Sequence, residues 1–141
     1  MKTLSRLLLA SSLIFGACQT PHEFVDDRSG KWTIQTGQLK YTSGARVLVG
    51  EVVVNQMGAS GFQIEFLKGG GLPLLKLRMD ATTARAEGIF ARGSWQGPPD
   101  RAPKPLRGWI GLREALAKRQ AERFTVTPPN SEDRFDFVFN R

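Results

Sequence analysis

Three stretches of the chain alternate apolar and polar residues with a period of two. Phe62, Ile64 and Phe66 are separated by Gln63 and Glu65. Leu75, Leu77 and Met79 are separated by Lys76 and Arg78. Phe135, Phe137 and Phe139 recur near the C-terminal end. This period puts each trio on one face of a strand. Residues 32–41 mix Thr, Ile and Tyr and read as a first strand. Residues 46–57 read as a second. It is apolar on both faces around Val47–Val49 and Val52–Val54, so it is expected to be covered on both sides. Gly50 in its middle suggests a bulge or a bend. In 82–90, small residues Ala84, Ala86 and Gly88 alternate with Thr83, Arg85 and Glu87. These segments, joined by short Gly-containing turns, predict an antiparallel meander.

The pattern then breaks. Residues 92–105 contain Pro98, Pro99, Pro103 and Pro105 and read as an irregular loop. In 106–121, Trp109, Leu112 and Leu116 recur at helical spacing, which predicts the one helix. Short strands at 123–128 and 133–140 follow. The resulting class is α+β: a curved antiparallel sheet of about seven strands, as a half-barrel or small barrel, with one helix.

Such a helix is about 10–12 Å wide with its side chains, and strands lie about 4.8 Å apart. It can therefore cover only two or three strands. The sheet must therefore close on itself, or leave apolar surface for a ligand. Phe62, Ile64, Phe66, Leu75, Leu77, Met79, Phe135, Phe137 and Phe139 are accordingly the candidate wall for an acyl chain or other apolar ligand. Ordinary core under the helix is the plainer reading of the same strip. If the interior is filled, a structural or assembly subunit without ligand is the alternative.

The N-terminal segment is of a different kind. Lys2 and Arg6 precede an apolar run from Leu7 to Phe15, too short to span a bilayer. The run ends in Phe15-Gly16-Ala17-Cys18, and Cys18 is the only cysteine among 141 residues. This resembles the lipobox of bacterial lipoproteins. The resemblance implies that 1–17 is a cleaved signal peptide, and that Cys18 carries a diacylglyceryl group and usually a further acyl chain such as palmitate. Residues 18–31 then form a lipidated tether and 32–141 a β-rich domain. The single His22 falls in the tether and is expected to be exposed. Gln19 resembles the address of proteins sorted to the outer membrane, on its periplasmic face. Anchored this way, the protein has the membrane as its first partner.

Cleavage would remove Lys2 and Arg6 and lower the formal charge from +7 to +5. Ten of the Lys and Arg residues lie between Lys76 and Arg119, against four acidic ones. A patch of this kind suits an anionic lipid headgroup, and nucleic acid is an improbable partner for an exported anchored protein. One Cys and one His preclude a disulfide framework and a His-rich metal site. The sequence contains no GxSxG or HExxH motif, and the acidic residues are scattered. The expectation is a protein that is not an enzyme and carries no cofactor.

The run from Trp32 to Trp109 also resembles the lipoprotein-localisation factor family, especially its outer-membrane receptor. The resemblance rests on Gly37-Gln38-Leu39, on Gly71-Leu72-Pro73-Leu74-Leu75-Lys76-Leu77, and on Pro105-Leu106-Arg107-Gly108-Trp109. It implies a half-open barrel lidded by helices, with a hydrophobic cavity for acyl chains, and a role in lipid or lipoprotein transfer.

Overall fold

A computed structural model describes residues 21–24, 32–57, 61–118 and 121–141. The segment expected to be a signal peptide, and Cys18, lie outside the described residues. Six strands come first: β1 (Thr33–Ser43), β2 (Arg46–Met57), β3 (Gly61–Lys68), β4 (Leu72–Met79), β5 (Ala84–Gly88) and β6 (Gly93–Gly97). A helix, α1 (Lys104–Ala117), and two strands, β7 (Arg123–Val126) and β8 (Asp133–Phe139), complete the domain. All eight strands form one antiparallel sheet in the order β6-β5-β4-β3-β2-β1-β8-β7. The sheet is curved and unclosed, with β6 and β7 at its edges. This is the expected α+β half-barrel.

The first six strands form a meander, with neighbours in sequence paired in space. The last pair is placed differently. β8 pairs with β1 from Gly37↔Phe139 to Ser43↔Asp133, and β7 hangs on the outer edge of β8.

The sheet has one strand more than expected. β6 lies inside the segment read as irregular, because its sequence GSWQG lacks alternation and β-branched residues. Pairing with β5, including Ala86↔Trp95, makes it a strand. The strand expected over 82–90 stops at Gly88, where the backbone turns to φ 112° and a short 3-10 turn (Ile89–Ala91) follows. The helix begins earlier than expected, at Lys104, with Pro105 in the first turn where no N–H is needed.

The expectation that β2 is covered on both sides fails. Val52 and Val54 are buried, but Val47 and Val49 on the opposite face are 52% and 61% exposed. The cause is layering. α1 packs on one face only, and Val47 and Val49 lie on the other. From Arg46 to Gly50, β2 also runs beyond β3 and pairs with β1 alone. Gly50 marks that parting: a Cβ there would strike the carbonyl of Leu67. Gly37 on β1 likewise leaves room for the carbonyl of Val138.

The core fills the space between the inner face of the sheet and α1. Leu106, Trp109, Leu112 and Leu116 point from the helix into it. Trp109 is the hub, fully buried, with the rings of Tyr41, Phe66, Phe90 and Phe135 centred 4.9–5.7 Å away. Each such buried large side chain contributes about 1.5–3 kcal/mol through removal of apolar surface from water.

Candidate functional site

The nine residues expected to form a ligand wall do share one face. Register pairs Phe62↔Met79, Ile64↔Leu77 and Phe66↔Leu75 across β3 and β4. Phe135, Phe137 and Phe139 lie three strands beyond β3, past β2 and β1. All nine are 0–5% exposed, beneath α1. They are the plain core that the sequence also allowed. One helix covers more strands here than its width spans, because the curvature of the sheet brings them within its reach. Small residues help, since Ala84 and Ala86 on β5 are fully buried. Phe90, Phe124, Val126 and Trp95 pack around the margins of this core. Of the nine, Phe139 borders an opening of about 490 Å³ at the C-terminal end of α1, beside Thr33, Gln35, Gln56 and Leu116.

A larger opening, about 790 Å³, lies at the other end of the helix. Four segments meet there. Tyr41 and Ser43 end β1, and Arg46 begins β2. Phe90 and Arg92 come from the connection after β5. Lys104, Pro105 and Arg107 form the first turn of α1. Asn130 to Asp133 form the approach to β8. Sequence periodicity did not identify this site, because its residues lie in turns and strand ends where no period applies.

At its floor sits Asp133, the one charged side chain buried among the described residues, 5% exposed. The Tyr41 hydroxyl donates to its carboxylate at 3.2 Å, and its own amide donates to Ser131 Oγ at 3.1 Å. Burial raises the Tyr41 phenol above its ordinary pKa. Ser43 works against that rise, while the nearby Asp133 carboxylate adds to it. Tyr41 therefore stays protonated and remains a donor. Gly108 makes this packing possible, since a Cβ there would collide with the Asp133 carboxylate and the Ser131 hydroxyl.

The backbone around this opening is strained. Among the described residues two non-glycines have positive φ, Arg92 at 53° and Asn130 at 60°. Both line it. Left-handed backbone at a non-glycine residue costs about 1 kcal/mol or more and clusters where structure serves function.

The third notable feature corrects the expectation of an exposed His22. Its Nε2 lies 2.7 Å from Asp80 Oδ2, and its side chain is only 32% exposed. Phe24 lies beneath the guanidinium groups of Arg78 and Arg85, at 5.2 and 5.4 Å from its ring centre. Residues 21–24 are thus a strap seated on β4 and β5. The reason is Asp80, which ends β4 in a tight turn. Its Oδ1 accepts from the amides of Thr82 and Thr83, both at 2.8 Å, leaving Oδ2 for His22. Burial opposes the Asp80 charge, but the Thr82 amide, His22 and the Thr83 amide outweigh it and hold the pKa at about 2. The Asp80-Ala81-Thr82-Thr83 sequence is the signal that could have pointed to this turn. A lone histidine in a polar segment carries no such signal.

Among the described residues no group of His, Cys, Asp and Glu is placed to hold a metal ion. No helix there is long and apolar enough to cross a membrane. The opening brings together cations, hydroxyls, an amide and the half-buried ring of Phe90. No family model matches the chain, and no curated protein matches it.

Proposed function

We propose that this chain is a lipid-anchored protein of the bacterial cell envelope, held through Cys18 on the periplasmic face of the outer membrane, and that it works by binding or assembly without covalent chemistry. The observation that carries the reading is the seated strap. Three residues lie between Cys18 and His22, so the four steps of chain reach about 14 Å at full extension. The docked strap would hold the folded domain close to its anchor, where a floppy tether would not. The lipobox residues support the anchor itself.

For the domain's role, the filled interior favours a structural or assembly subunit over a carrier of acyl chains in lipid or lipoprotein transfer. An acyl chain would have to displace α1 from residues that are 0–5% exposed, separating Trp109 from four aromatic rings. Metabolic labelling with a radioactive fatty acid, followed by membrane fractionation, tests the anchor. Wild type should be labelled, cleaved and membrane-bound, and Cys18→Ser should be unlabelled and uncleaved. Label retained by Cys18→Ser would overturn it. Mass spectrometry of the purified protein tests the interior. Stoichiometric non-covalent lipid would restore the carrier reading.

A further inference from the structure

We propose that the opening at the N-terminal end of α1 is a binding site for a phosphate-type anion carried on a small polar body, such as a sugar or glycerol phosphate.

The lining is a matched set for that chemistry. Arg46, Arg92, Lys104 and Arg107 border the cavity, contributed by three separate parts of the chain. Arg107 is steered by a bond from its Nε to the Ala102 carbonyl at 3.1 Å. The side chains of Arg46, Arg92 and Lys104 have no acidic partner among the described residues. Two acidic residues share the lining. Asp133 is occupied at the floor by the Tyr41 hydroxyl, and Glu132 is exposed at the rim. Cations therefore outnumber acids, and three of them are unpaired.

Like charges are not gathered around a concavity without cost, since they repel one another across it. Arg92 adds a second cost, because this lining residue holds a left-handed backbone at φ 53°. An anion in the cavity would offset both. Arginine suits phosphate oxygens, with planar forked donors, and lysine adds a point charge. The first turn of α1 contributes in the same sense, since it has no side-chain cap and the positive end of the helix dipole is there. The rest of the lining fits the body of such a ligand. Ser43, Asn130 and Ser131 can bond to hydroxyls, and Phe90, half-buried against the Tyr41 ring, provides an apolar wall. A cavity of about 790 Å³ is of the size that takes a whole small molecule.

The site is independent of the anchor, so its test can fail or succeed without regard to Cys18. Detergent-solubilised full-length protein, labelled with ¹⁵N, is titrated at constant ionic strength with inorganic phosphate and then with glycerol 3-phosphate. Saturable shifts are expected at amides in 92–93, 104–108 and 130–133. Arg46→Gln with Lys104→Gln should weaken binding at least about tenfold. Lys118→Gln, at the far end of the same helix, should leave it unchanged. Both substituted cations are exposed, so the fold should survive, as amide spectra will report. Vesicles of phosphatidylglycerol, compared with phosphatidylcholine, separate the two sources of the anion. Capture by the former that depends on Arg46 and Lys104 places the phosphate in a lipid headgroup, whereas binding of the soluble ester alone makes it free. Linear shifts without saturation, or equal weakening by Lys118→Gln, would overturn the site.

Discussion

The two ends of α1 open onto very different surroundings. The N-terminal end borders a cavity of about 790 Å³ ringed by four cations, with a buried carboxylate and two left-handed non-glycines. The C-terminal end borders one of about 490 Å³, lined by Thr33, Gln35, Gln56, Ala117, Asn140 and few charges. Both are made from strand ends and one helix end, so architecture alone does not account for the contrast. The difference lies in what each end tolerates. Unpaired charge and backbone strain persist at the first, and neutral side chains facing water suffice at the second. The concentration of cost at one end is what supports the proposed anion site there.

The comparison can be broken most severely at the core that joins the two ends. Trp109→Ala should cost about 3–5 kcal/mol in urea unfolding, because it empties the contact point of four rings. Leu116→Ala, beside the neutral opening and 3% exposed, should cost about 2–3 kcal/mol. Equal losses would mean that the helix is held uniformly along its length. Next is Gly108→Ala. Its methyl group would push against Asp133 and Ser131, and a loss of about 1–3 kcal/mol is expected, with displaced Tyr41 resonances. Unchanged Tyr41 signals would show that the floor of the charged mouth is soft.

A smaller effect belongs to the strap. Asp80 has a folded pKa of about 2, below its ordinary 3.8. The charged form is therefore the one bound in the fold. Its contribution is complete above pH of about 4 and is lost as pH falls through about 2. The Thr82 and Thr83 amide shifts should titrate with a midpoint near 2, and Asp80→Asn should abolish the step. A midpoint at the ordinary value would show that the turn does not hold the charge. The smallest effect has the opposite sign. Asn130→Gly should stabilise by about 0.5–1 kcal/mol by relieving φ 60°. A melting temperature that falls would mean that the Asn130 side chain holds the loop.

Much of the sheet was legible from alternation. The segments 46–57 and 61–68 became β2 and β3 without change, because inward Val, Phe and Ile residues at period two have one stable placement. β6 was not legible, since Gly93, Ser94 and Gly97 carry no pattern and only the neighbour β5 makes them a strand. The nine apolar residues were correctly put on one face. Their role was not decided by sequence, because coverage depends on curvature, which periodicity does not encode. The charged mouth escaped for a related reason. Arg46 and Asp133 meet across a large sequence separation, and turn residues acquire a common address only after folding. His22 needed Asp80, 58 residues away, to become more than a tether residue.

The placement of β8 has a consequence for how the chain folds. Six strands can zip up in order, each on the one before, with short loops to close. The second edge of β1 must wait for β8, and the Tyr41–Asp133 bond joins residues 92 apart. Contacts of that separation form late, because the loop-closure entropy is lost before they return anything. Until then the aromatic face of Phe135, Phe137 and Phe139 is missing from the core and α1 has no complete bed. A partly emerged chain is thus kept from completing its fold. Under the export proposed above, in which the chain passes through a membrane pore as an extended thread, this topology would delay folding until the passage is nearly finished.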